Sequence, residues 1–237
     1  MNYTVPEPEV KILDAMIEDL KSGSRLPGQL RIPPAPLGWV IFAHGSGSSR
    51  FSPRNIQVAK TLNQRHQATL LFDLLTPEES NIRKNVFDIP LLAERLRNSV
   101  FWLQKQLDFN NAPIALFGAS TGAAAALSAT SVLGKNVRAV VSRGGRVDLA
   151  KSAAAEVECP VLLIVGGWDE PVLTWNREVL PLLKSGRLKV IPKATHLFEE
   201  PHALSSAIEA AADFLEDQFR KDLPFRLPSK PPAGPFP

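Results

Sequence analysis

Short runs of apolar and β-branched residues alternate along the chain with longer segments in which apolar positions recur every three or four residues. The short runs are Trp39–Ala43, Ala68–Phe72, Pro113–Phe117, Val137–Val141, Pro160–Val165 and Leu188–Ile191. Their near-continuous apolar character suits strands covered on both faces. The longer segments, Pro53–Arg65, Asp88–Leu107, Thr121–Leu133, Thr174–Leu183 and Ala203–Phe219, are expected to be crossover helices. In the second of them Leu92, Leu96, Ser99, Val100 and Leu103 form one stripe that can face a sheet. This alternation predicts an α/β fold: one doubly wound, mostly parallel sheet with helices on both faces. Upstream, Val10–Leu13 and Gln29–Ile32 can add an antiparallel pair at one edge, although Met16–Leu20 reads equally well as a helical turn.

Composition narrows the class. At 237 residues and 44% apolar side chains, residues 1–222 can bury one core. Residues 223–237 are proline-rich and are expected to run extended or disordered. A net charge of +3 with both signs interleaved gives no surface for nucleic acid or an anionic membrane. No apolar run approaches the roughly 18 residues of a membrane span, and the N-terminus lacks the pattern of a secretory signal. The lone Cys159 forms no internal disulfide and suits a reducing cytoplasm, packed as a small hydrophobe before Pro160.

The chemistry begins at Gly118-Ala119-Ser120-Thr121-Gly122, which follows a strand and opens an alanine-rich helix. A nucleophile in such a strand–turn–helix elbow sits at the positive end of a helix dipole, and small neighbours let strand and helix pass closely. The pattern is short and gains weight from its position at the C-terminal end of a central strand, where open α/β sheets bind ligands. The first central strand ends in His44-Gly45-Ser46-Gly47-Ser48-Ser49, a loop suited to supply one oxyanion donor. Ser46 is the expected donor from this loop, with Gly47 as the neighbouring possibility, and Thr121 supplies the other N–H. A serine nucleophile needs a base oriented by a carboxylate. Of four histidines, His44 belongs to the oxyanion loop, His66 to a solvated helix face and His202 to the start of the last helix. His196, in the loop after the last strand, is the candidate base. Asp169, in the turn after the Pro160–Val165 strand, is the candidate acid, with Glu170 and Asp73 as fallbacks. The order Ser120, Asp169, His196 is the one an α/β-hydrolase requires.

Other residues carry weaker signals. Arg143, in Arg143-Gly144-Gly145-Arg146, can pair with an acidic substrate group or tie loops together. Trp168 and Phe198 flank the acid and base and can wall an acyl pocket or pack in the core. A rival reading, strand–Gly45-x-Gly47–helix–strand–Asp73, has the outline of a dinucleotide-binding unit. Arg50 replaces its third glycine, however, and Pro53 delays the helix. Metal-ligand motifs are absent from the sequence, and no cofactor is expected.

Together the blocks His44–Arg50, Gly118–Gly122, Gly166–Val172 and Ala194–Pro201 resemble the dienelactone hydrolase family of α/β-hydrolases, over roughly Gly28–Leu215. The resemblance implies an eight-stranded sheet, a Ser120, Asp169 and His196 triad, and cofactor-free hydrolysis of esters or lactones. The family's founding members use a cysteine nucleophile and a glutamate in the first loop. Here the nucleophile is serine and the loop has no acid, so small soluble carboxylic esters are expected ahead of dienelactone. Acyl transfer or perhydrolysis on the same triad is the alternative, and a non-catalytic binding role a more distant one. With no long insertion between Val141 and Pro160, no large lid is expected, and the chain is expected to act as a monomer or homodimer.

Overall fold

The alternation of short and long segments becomes one eight-stranded sheet in the computed structural model, which describes residues 9–221 apart from 20, 107, 108 and 110. In chain order the elements are β1 (Lys11–Glu18), β2 (Arg25–Ile32), β3 (Gly38–Ala43), α1 (Pro53–Gln64), β4 (Gln67–Phe72), α2 (Pro77–Ser80) and α3 (Arg83–Val86). There follow α4 (Ile89–Gln104), β5 (Ile114–Ala119), α5 (Thr121–Leu133), β6 (Ala139–Arg143), α6 (Lys151–Ala154), β7 (Val161–Gly166), α7 (Glu170–Val179), β8 (Gly186–Ile191) and α8 (Ala203–Arg220). The strand order is β1-β2-β4-β3-β5-β6-β7-β8. β2 pairs antiparallel with β1 and β4, and every other neighbour pair is parallel.

Strands β3 to β7 are buried along their whole length because helices cover both faces, while β1 and β8, at the edges, alternate. Alternate side chains of β3 enter different layers. Trp39 and Ile41 pack with Leu96 and Val100 of α4 and Ala124 and Leu127 of α5. Val40 and Phe42 pack with Val58 and Leu62 of α1 and Ile208 and Leu215 of α8. Each large side chain so enclosed contributes roughly 1.5–3 kcal/mol. The chain runs from β3 to β4 on one side and returns to β5 on the other, so the C-terminal ends of β3 and β5 meet at a topological switch point, where this architecture forms its crevice.

Several expectations are adjusted. The helix expected from Thr174 begins at Glu170, because Pro171 fits the first turn and Asp169 takes the N-cap position. Met16 belongs to strand β1, whereas Leu20 and the tail 223–237 lie outside the described residues. The short helices α2, α3 and α6 were not anticipated. A capping box starts α2: Thr76 N–H donates to Glu79 Oε2 at 2.9 Å, and Glu79 N–H to Thr76 Oγ1 at 3.2 Å. Arg95 of α4 locks this segment to the end of the β1–β2 hairpin, with Nη1 2.8 Å from Asp19 Oδ2 and Nη2 2.6 Å from Glu79 Oε1.

Candidate active site

Ser120 sits between β5 and α5 with φ 51° and ψ −121°, a combination that costs a non-glycine residue roughly 1–3 kcal/mol. The neighbours hold it there. A Cβ on Gly118 would lie 2.4 Å from Ala123 Cα, and one on Gly122 would lie 2.2 Å from Ala43 O. The turn therefore closes only with glycine at both positions. Backbone bonds stitch it to the next loop: Ser120 N–H donates to Arg143 O at 3.2 Å and Arg146 N–H to Ser120 O at 3.0 Å. Asn176 of α7, fully buried, donates to Gly145 O at 2.9 Å and anchors the loop from the other side.

The loop after β3 runs beside the elbow and is fixed by side chains. His44 accepts the Leu74 N–H at Nε2 (3.1 Å) and donates from Nδ1 to Gly45 O (3.0 Å), so its ring is a structural strut in one neutral tautomer. Burial pushes its pKa below the usual histidine value, against weaker raising contributions from the Gly45 bond and Asp73. Asp73 accepts Arg50 N–H at 2.6 Å and pairs with the Arg50 guanidinium. That pairing occupies the carboxylate which a dinucleotide reading would have needed for a ribose. Ser46 N–H donates to Thr121 Oγ1 at 2.9 Å. Both residues expected in the oxyanion hole therefore meet, with the Ser46 donor resting on the Thr121 hydroxyl.

On the far side of the elbow, Asp169 Oδ2 lies 2.7 Å from His196 Nδ1. This contact keeps the proton on Nδ1 and leaves the Nε2 lone pair for a substrate or nucleophile proton. The carboxylate is 10% exposed and the imidazole 37%, so the imidazole is accessible and the carboxylate that holds it is covered. Ser120 and His196 line the same cleft of about 280 Å³, together with Arg54, Asn55, Arg143 and Leu197. Ser120 Oγ makes no hydrogen bond to His196 among the described residues, and such bonds commonly tighten only when substrate is bound. A second cavity of about 370 Å³ lies on the other side of the Gly45–Ser48 loop, lined by Thr121 and by the apolar Leu74, Leu75, Val86 and Leu92.

The remaining candidates separate. Glu170 begins α7 and His202 caps α8 in a left-handed conformation, while His66 bonds Pro34 O, outside the cleft. Phe198 is buried against Ile208 and Leu215 and lines neither cavity, since the turn after His196 directs it beneath α8. Trp168 is 60% exposed and is likewise absent from both linings. The apolar wall comes instead from the α2–α4 segment, which the capping box at Thr76 could have located. Arg143 is 7% exposed and donates from Nη2 to Asn55 Oδ1 at 3.1 Å. Cys159 is distant from this chemistry, and burial pushes its thiol up to about 12, an unreactive value. No helix among the described residues is long and apolar enough to cross a membrane.

Comparison with known proteins places this geometry in context. No family model matches the chain. A solved structure of a dienelactone hydrolase from Anabaena variabilis is 46% identical, with a TM-score of 0.83 over 90% of this chain and 99% of that one. The protein Est1E from Butyrivibrio proteoclasticus, at 20% identity and a TM-score of 0.74 over 88% of this chain and 99% of its own, shares the fold. A curated protein of Mycobacterium tuberculosis, provisionally named a phosphoribosyl transferase, is 53% identical over 191 residues, which are 80% of this chain and 43% of that protein. The chain thus spans less than half the length of that relative. Given such identity across almost the whole of a solved relative, the chain belongs to the dienelactone hydrolase family of α/β-hydrolases.

Proposed function

We propose that this chain is a serine esterase that cleaves small carboxylic esters or lactones through an acyl-enzyme on Ser120. The observation that carries the reading is the strained elbow at Ser120, opening on one cleft with a histidine whose Nδ1 is held 2.7 Å from Asp169. In the reaction His196 Nε2 takes the Ser120 proton as Oγ attacks the ester carbon. Asp169 steadies the imidazolium, and the proton passes to the departing alkoxide. Thr121 N–H, at the start of α5, faces the developing oxyanion with the helix dipole behind it. Ser46 N–H is the second donor, and the oxyanion shares it with the Thr121 hydroxyl. Water activated by the same histidine then releases the acid. The cavity lined by Leu74, Val86 and Leu92 gives room for the apolar part of a small ester.

The phosphoribosyl transferase name belongs to a protein of which this chain matches 43%, and nothing in the elbow supports carrying it over. A panel of 4-nitrophenyl esters tests the reading by pre-steady-state kinetics. The native protein is expected to release one equivalent of nitrophenol in a burst, and Ser120→Ala none. Turnover that persists in Ser120→Ala, or none with any ester in the panel, would refute it.

A further inference from the structure

The cleft beside Ser120 carries more positive charge than ester hydrolysis requires. Arg54 and Arg143 both line it, and among the described residues no carboxylate does. Arg143 is more than nine-tenths buried, yet Nη1 has no hydrogen-bond partner among the described residues, Nη2 meets the neutral amide of Asn55, and the guanidinium carbon lies 5.9 Å from the Phe117 ring centroid, so its neighbours are all uncharged or cationic. A buried ion without a counter-charge costs several kcal/mol. Burial, and then the neighbouring Arg54 guanidinium, push the Arg143 pKa down to about 10, which still leaves it charged at pH 7. Arg54 pairs with the exposed Glu199 at 3.4 Å. Both guanidiniums lie beside the N-terminus of the 12-residue helix α1, whose Ser52, Arg54 and Asn55 also line the cleft. Pro53 offers no N–H and Asn55 N–H is capped by Ser52 Oγ at 3.4 Å, so Arg54 N–H is the donor that this turn can offer an anion.

We propose that this cleft binds the phosphate group of a phosphorylated ester, held by Arg143, Arg54 and the first turn of α1, while Ser120 attacks the ester carbonyl beside it. The catalytic half rests on the serine-esterase reading; the binding half does not. The bond broken is the acyl C–O bond, so the phosphate stays intact on whichever product carries it. Two guanidiniums and a helix terminus match the charge of about −1.5 to −2 on a phosphate monoester at pH 7 better than the single charge of a carboxylate. Substrate phosphate would supply the counter-charge that folding leaves out.

Inorganic phosphate is the probe, with native protein and 4-nitrophenyl acetate as a neutral reporter at constant ionic strength. Competitive inhibition about tenfold stronger than that by acetate is expected, weakened about tenfold in Arg143→Met and in Arg54→Gln. Arg54 is partly exposed, so its variant carries the test even where Arg143→Met does not fold. Thermal unfolding gives a readout that a merely structural arginine would not: Arg143→Met melts at or above the native temperature without phosphate, and phosphate raises the native Tm alone. Inhibition that follows ionic strength, that acetate equals, or that survives in both variants overturns the proposal. Absence of both turnover and fluorophosphonate labelling would defeat the esterase reading. The phosphate-dependent Tm shift and its loss in the variants would then still decide the anion site.

Discussion

Among the described residues two arginines are buried, Arg95 at 1% exposure and Arg143 at 7%, and the chain handles them in opposite ways. Arg95 meets Asp19 and Glu79 and also donates to Ser22 Oγ at 2.9 Å, tying the β1–β2 hairpin to α2 and α4. Arg143, at the C-terminal end of β6, meets one amide oxygen and no carboxylate among the described residues. The first charge is neutralised as the chain folds. The second is left for something that arrives later. The difference separates a region organised for stability from one organised for binding, and the same division runs through the elbow, where Ser120 holds a backbone conformation that costs stability.

The comparison breaks most visibly, or holds, at Ser120. Ser120→Ala is expected to lower kcat about 10⁴-fold or more while leaving stability within about 1 kcal/mol, read from ester hydrolysis and urea unfolding. The reverse pattern is expected at the clamp. Arg95→Met leaves Asp19 and Glu79 without their cation and should cost about 3–5 kcal/mol of stability, with kcat/KM of the folded fraction little changed. Equal losses of stability in Arg95→Met and Arg143→Met would erase the distinction. A smaller effect probes the oxyanion loop: Thr121→Val removes the acceptor of Ser46 N–H and should lower kcat about tenfold, whereas Thr121→Ser keeps most of the rate.

The smallest effect is on pH dependence. His44 is half-buried and neutral, with its pKa below the ordinary 6.5, so as pH falls the unfolded chain takes up the proton first. Its stabilising contribution is present above pH 6.5 and declines as pH falls from there toward the folded value. Urea midpoints measured from pH 7.5 down to 5.5 should therefore fall more steeply for the native protein than for His44→Gln.

Much of the site was legible because its residues are bound to local geometry. The observed helix α5 spans Thr121–Leu133 as read from the alanine run, and strands β3 to β8 lie where the apolar runs put them, within two residues at each end. The loops carrying Asp169 and His196 follow directly from strands that the pattern locates. What was not legible depends on partners brought from afar. The pairing of Asp73 with Arg50, the resting bond between Ser46 and Thr121, and the placing of Arg143 beside Asn55 and Phe117 with no carboxylate among the described residues are set by elements far apart in sequence. Phe198 illustrates the same limit. Its place beside His196 suggested a pocket wall, and only the packing of α8 shows that it turns into the core. The short helices α2 and α3 escaped because four residues have too little periodicity to register, although the Thr76–Glu79 capping box was visible.

The central claim is that Ser120 is the nucleophile, and covalent labelling tests it most directly. Native protein exposed to a fluorophosphonate and analysed by intact mass and peptide mapping should carry one adduct, on Ser120, that forms far more slowly in His196→Ala and is absent in Ser120→Ala. An adduct retained in Ser120→Ala, or a folded native protein that takes up none, would contradict the account.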